Sequence, residues 1–289
     1  MIPIDNLYET LRSALHYNRF EIGKLLFVEY TCPIRDDYAC VWTQTDYLVH
    51  VLSGKKTWHT PEGTWEGVKG DTLYVKKGAS FVKQYFDDDF CLMLFFISDD
   101  FIKEIVRENS GQIKHSAASE KSQDILRVKN DVAISAFFQS MLTYFTATDR
   151  PSEALLKLKL KELIVSILFS QDNPGLSAYF QSLAGEDKTS LTQIMEANFC
   201  YNLSLDDFAK LCNRSLSSFK RDFKKHYNLT PGKWLLQKRV DYSAVLLKNR
   251  NLNVSQVCME CGFEDISHFS KVFKERFGVS PNNYRKKAA

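Results

Sequence analysis

A chain of 289 residues with 44% hydrophobic and 25% charged content has room for two domains and the composition of an ordinary soluble globular protein. It holds no apolar run of about 18 residues, which excludes a membrane-spanning helix; Asp5, Glu9 and Arg12 interrupt the stretch where a secretory leader needs its apolar centre, so the expected location is the cytoplasm. The net charge of +3 conceals an asymmetry: residues 186–289 carry 18 Lys/Arg against 11 Asp/Glu, and the preceding 185 carry 20 against 24. A basic excess confined to one end points to a polyanionic partner there. Seven cysteines, odd in number and scattered, suggest reduced thiols; Cys258 and Cys261 have the spacing of a redox or zinc pair but no second pair accompanies them.

Taken in order, residues 5–17 predict a short amphipathic helix with Leu7, Leu11 and Leu15 on one side. From 24 to about 98 come short apolar or alternating runs between Gly-containing turns, among them KLLFVEY, YLVHVLSG, DTLYV and FCLMLFFIS. Closely spaced strands of this kind predict an antiparallel sandwich or barrel. Trp42, Tyr47, Trp58, Tyr74 and Phe81 give it an aromatic density suited to a mostly apolar effector pocket, or simply to a core. From about 99 to 184 the pattern turns helical, with a polar loop expected over 110–123. In PSEALLKLKLKELIVSILFSQ, Leu156, Leu160, Leu163 and Ile167 step by four, three and four. Such a seam can join two copies or pack against the barrel. Residues 183–188 read as a linker, giving domains at 1–110, 111–184 and 185–289.

The C-terminal third repeats itself. Phe-x-x-x-Phe-Lys-Lys-x-Tyr-x-Leu-Thr-Pro at 219–231 parallels Phe-x-x-x-Phe-Lys-Glu-x-Phe-x-Val-Ser-Pro at 269–281, a period of 50 residues. Each copy predicts a helix that follows another helix and a tight turn, with Ser204, Ser215 and Asp265 as N-caps and Gly278 as a terminator. Phenylalanines back each second helix, and Ser, Lys and Arg occupy its front. That is the form of a helix-turn-helix recognition helix, present twice. Pro231 opens a long connecting helix expected to reach about Asn249.

On SLDDFAKLC, SSFKRDFKKHY, TPGKWLLQKRVDYSAVLLKN and NVSQVCMECGFEDISHFSKVFKERFGVSPNNYR, roughly the last hundred residues, the chain resembles the AraC/XylS family of bacterial transcription regulators. The resemblance implies that it binds double-stranded DNA, most often to activate transcription with RNA polymerase, commonly as a homodimer. By position in the family motif, Ser217, Lys220, Arg221, Ile266, Ser267, Ser270 and Lys271 are the candidates for base edges. Ser218, Lys224, Lys225, His268 and Lys274 are the candidates for phosphate. LVHVLSGKKTWHTPEG followed by VKGDTLYVKKGASF resembles a cupin, the usual sensor barrel of these regulators. Where metal cupins carry three His and a Glu, this chain has Cys40/Trp42 or Val41/Thr43, Tyr47 and Phe81, so no metal and no cofactor is expected. No nucleophile–base pair is visible and no catalytic residue is assigned. The expected fold class is α+β, a cupin-like barrel with helices followed by an all-α double helix-turn-helix domain. The controlling signal is a small molecule or a protein antagonist; a metal-free cupin enzyme is the remaining alternative.

Overall fold

A computed structural model describes residues 4–31, 38–85, 90–113, 123–185, 190–248 and 252–287, and the chain divides into two compact units, 2–187 and 188–289. The N-terminal unit runs β1 (Ile4–Asn6), α1 (Leu7–Ser13), β2 (Asn18–Ile22), β3 (Leu25–Thr31), β4 (Tyr38–Thr43), β5 (Asp46–Ser53) and β6 (Lys55–Thr60). It continues with β7 (Gly63–Val68), β8 (Thr72–Val75), β9 (Gly78–Gln84), β10 (Cys91–Ile97), α2 (Asp99–Glu108) and β11 (Ile125–Val128). Three further helices complete it: α3 (Val132–Thr146), α4 (Glu153–Phe169) and α5 (Pro174–Ala184).

Its strands form two sheets, ordered β1-β4-β9-β6-β7 and β11-β8-β5-β10-β3-β2. The β1–β4 pairing is parallel and the others are antiparallel. The second sheet is covered on both faces. Leu92, Leu94 and Phe96 of β10 join Leu26, Val28 and Tyr30 of β3 in one core, with Trp58 and Val82 from the opposing sheet. Met93, Phe95 and Ile97 join Leu25 and Phe27 in another, against the helices. A strand buried on two faces reads as an unbroken apolar run, which is why CLMLFFI lacks alternation.

Several expectations change in detail. The helix expected over 5–17 spans only Leu7–Ser13: Tyr8 and Leu11 are buried, whereas Leu15 is 93% exposed and beyond the helix. β11 lies just past the expected 110–123 loop, in a stretch expected to be helical; ILRV is too short to declare itself and is held by antiparallel pairing to β8. The middle of the 110–123 loop and part of the 183–188 linker lie outside the described residues. The four-three-four seam of α4 is the inward face of a helix packed in its own unit: Leu156, Leu160, Leu163 and Ile167 are all buried with α3, α5 and the second sheet. Their spacing therefore does not report a dimer contact.

The C-terminal unit is helical: α6 (Leu191–Asn198), α7 (Leu205–Leu211), α8 (Leu216–Tyr227), α9 (Pro231–Leu246), α10 (Val254–Glu260), α11 (Ile266–Phe277) and α12 (Pro281–Lys287). α9 begins at the expected proline but ends at Leu246, short of 249. Pro231 and Pro281 both open helices, where a missing N–H costs nothing.

Candidate nucleic-acid interface

The two helix-turn-helix units are built from the same local chemistry. After α7, Asn213 N–H donates to Lys210 O and Arg214 N–H to Ala209 O, both at 2.9 Å. After α10, Gly262 N–H donates to Met259 O at 2.9 Å and Phe263 N–H to Cys258 O at 3.1 Å. Both are Schellman turns, which require a left-handed residue; Asn213 has φ +52° and Gly262 has φ +76°. The carbonyls left over at one helix end are thereby satisfied while the chain reverses toward the next helix.

Capping then sets where each second helix begins. Ser215 accepts from Ser218 N–H at 3.3 Å, and Asp265 accepts from Ser267 and His268 N–H at 3.0 and 2.8 Å. Those two backbone bonds hold the Asp265 carboxyl below the usual carboxylate range. Both first helices carry capping boxes, Ser204 with Asp207 and Asn253 with Gln256. α8 ends on left-handed Asn228 and α11 on left-handed Gly278.

The backs of the recognition helices are aromatic stacks in the same order. Phe219, Phe223 and Tyr227 run along α8, with Trp234 of α9 closing the set at 5.9 Å from Phe223. Phe269, Phe273 and Phe277 run along α11, with Tyr284 of α12 at 5.3 Å from Phe273. Phe219, Phe223, Phe269 and Phe273 are fully buried, which fixes the rotation of each helix about its axis and so decides what faces outward.

Ser217, Lys220, Arg221, Lys224 and Lys225 are exposed on α8, and Ser218 is half-buried. Arg221 donates to Ser218 Oγ at 3.2 Å and lies 3.4 Å from Asp222, yet its side chain stays 77% exposed. On α11, Ile266, Ser267, His268, Lys271 and Lys274 are exposed and Ser270 is half-buried. Ile266 is an apolar side chain left 42% open to solvent. Among the described residues none of Lys220, Lys224, Lys225, Lys271 and Lys274 is in an ion pair. Arg276, by contrast, is held by Asp241 of α9 at 3.0 and 3.1 Å.

In the N-terminal unit, the five aromatic candidates do not converge. Tyr47 and Trp58 line a cavity of about 70 Å³ with Tyr17, Tyr30, Lys56 and Val82. Trp42 and Phe81 alternate with the lining residues Val41 and Val82 and so lie on the other faces of β4 and β9. Tyr74 faces the helices and donates to Asp46 Oδ2 at 2.8 Å, beside Tyr179 of α5 at 2.7 Å. His50 stacks on Phe138, and His59 Nδ1 lies 2.9 Å from Thr64 Oγ1.

Sequence reasoning passed over Arg239, a half-buried side chain of α9 that is ringed by backbone carbonyls. Its only signal was a charged residue beside Val240 on a helix face that is otherwise apolar.

Comparison with known proteins agrees with this arrangement. Residues 208–287 match the profile of a helix-turn-helix domain, and residues 46–179 match that of the ExsA N-terminal regulatory domain. The virulence regulon transcriptional activator VirF of Yersinia enterocolitica is 23% identical over 263 residues, 91% of this chain and 96% of VirF. The HTH-type transcriptional regulator ExsA of Pseudomonas aeruginosa is 24% identical over 236 residues, 81% of this chain and 84% of ExsA. A crystal structure of ToxT from Vibrio cholerae aligns over 93% of this chain and 99% of its own, at 16% identity and a TM-score of 0.44. With two helix-turn-helix units in tandem behind a regulatory sheet domain, the chain belongs to the AraC/XylS family of sequence-specific DNA-binding transcription regulators.

Proposed function

We infer that the chain is a transcription activator that reads two successive major grooves, one with α8 and one with α11, under the control of its N-terminal unit. One observation carries this: cap, buried phenylalanine pair and exposed basic front recur 50 residues apart on two helices joined by α9. α9 is about 24 Å long; with about one helix diameter added, that allows recognition axes one DNA turn apart, near 34 Å. Arg221, Lys220 and Lys271 are assigned to guanine O6/N7, Ser217, Ser267 and Ser270 to base edges generally, and Ile266 to a thymine methyl. Ser218, Lys224, Lys225, His268 and Lys274, toward the flanks, are assigned to phosphate. Arg221→Ala or Lys271→Ala is expected to cost about 1–3 kcal/mol of specific affinity and to relax base preference at one position each. Titration of fluorescent duplexes at one stated salt concentration checks this; unchanged affinity and preference in both variants contradict the docking.

The controlling signal reaches the N-terminal unit, where the aromatic cavity is small and a larger cleft of about 550 Å³, lined by Ile22, Lys24, Phe101, Lys157 and Leu158, lies open to solvent, a shape that favours a protein partner over an enclosed small effector. The cavity lined by Tyr47 and Trp58, at about 70 Å³, is far below the roughly 300–1,000 Å³ of sites that enclose small ligands. The likeness to VirF, a transcriptional activator, makes activation the expected output, exerted in the cytoplasm on RNA polymerase. A homodimer built on α4 would use its outward positions, where Leu158 is 62% and Phe169 is 43% exposed. We assign no catalytic role. Adding back the small-molecule and the protein fractions of a cell extract separately to a DNA-binding assay distinguishes the signals. Switching by the small-molecule fraction alone would overturn the partner reading.

A further inference from the structure

The segment joining α6 to α7 and the turn joining α10 to α11 belong to different helix-turn-helix units, yet they meet at one side chain. Arg239, near the middle of α9, donates from Nε to Phe199 O at 2.6 Å and from Nη2 to Tyr201 O at 2.7 Å. Its Nη1 donates to Gly262 O at 3.0 Å. A guanidinium offers a planar fork of donors fixed in direction, so three carbonyls on one fork are fixed relative to one another.

The contact around this fork is tight. A Cβ added at Gly262 would lie 2.6 Å from Cys200 O and 3.2 Å from Arg239 Cζ, so backbone meets backbone with no side chain between. Asn202 donates to the Glu264 carboxylate just outside, bridging the same two segments. α9 also presents Tyr242, edge-on to Phe199 at 5.2 Å, and Lys238, 5.7 Å above the Phe199 ring. Phe199 and Tyr201 lead into the first unit, and Gly262 lies four residues before the start of α11.

We propose that Arg239 is a positioning residue for DNA readout: its three-carbonyl clamp sets the angle between α8 and α11, so that both enter their grooves in register. The proposal rests on the two-groove reading above. The geometry makes the angle consequential. A tilt of about 10° over the roughly 24 Å of α9 moves its far end by about 4 Å, more than the ~3.4 Å rise of one base pair. Arg239 itself faces neither groove and contributes no base contact; its effect is on the phase between two boxes.

The test uses full-length protein and a duplex carrying the two boxes enriched from genomic fragments. Companion duplexes have the boxes moved one base pair closer or farther, or one box scrambled. Wild type is expected to lose at least tenfold in affinity on either spacing change. Arg239→Gln is expected to bind the native duplex at least tenfold more weakly, yet to differ less than threefold among the three spacings and to hold the single-box duplex within twofold of wild type. Retained spacing discrimination in Arg239→Gln, or an equal loss on every duplex including the single box, overturns the proposal in favour of a merely structural role. If Arg239→Gln does not fold, Arg239→Lys, which keeps the charge but not the fork, and the exposed Asn202→Ala carry the test by the same criteria. A wild-type protein indifferent to spacing refutes the two-groove reading itself, and the proposal with it.

Discussion

His50 lies flat on Phe138, ring centroids 3.9 Å apart and 8° from parallel, with Nδ1 2.8 Å from Thr72 Oγ1. Burial pushes its pKa down from 6.5 to about 4, with Asp71 opposing weakly. Asp124 is moved the other way: burial and then the Glu62 charge raise it from 3.8 to about 6. Folding keeps His50 neutral, so its stabilisation is present above pH 6.5 and is lost as pH falls toward 4. Folding favours protonated Asp124, so its contribution grows as pH falls from about 6 toward 4. The two nearly offset each other in the wild type. Relative to it, His50→Gln is expected to gain stability between pH 6.5 and 4.5 and Asp124→Asn to lose it, each on the order of 1–2 kcal/mol after solvent screening. Urea midpoints across that window check the prediction, and parallel pH profiles for all three proteins contradict it. None of this was legible from residue identity: a lone His on a strand is silent about what lies across the sheet.

Elements were legible where their signals are local. Ser204, Ser215 and Asp265 cap α7, α8 and α11 because an oxygen at that position meets free N–H groups regardless of what packs above. β11 and α6 escaped notice because a four-residue strand exists only by virtue of β8, and LTQIMEAN has just two helical turns in which to show a period. α4 is the instructive case. Its period correctly marks a buried face, but a period does not say what buries it. The surrounding core does: Leu160 lies in one cluster with Phe137, Met141 and Phe180. Leu160→Ala is therefore expected to cost the N-terminal unit about 2–5 kcal/mol, whereas Leu158→Lys stays within about 0.5 kcal/mol. Chemical denaturation of the two variants tests this; a stable Leu160→Ala protein that has lost self-association would restore the seam to a dimer contact.

At the scale of the molecule, the sequence showed most in the C-terminal unit and least in the N-terminal one. A 50-residue repeat with matched caps and aromatic backs is read directly from the chain, and the DNA-facing candidates follow from which side the phenylalanines bury. The effector pocket did not follow, because Trp42 and Phe81 differ from Val41 and Val82 only by strand parity, which the runs alone left undefined. The charge asymmetry belongs to this scale too: the basic excess of residues 186–289 supplies the phosphate neutralisation that two-groove binding needs, so affinity is expected to fall steeply with salt. The most direct measurement is selection of genomic fragments by the full-length protein at one fixed salt concentration, followed by sequencing and hydroxyl-radical footprinting of the enriched sites. The account predicts two distinct boxes with centres about 10–10.5 base pairs apart, protected on one face of the duplex. Enrichment of a single box, or no sequence preference at all, would contradict it.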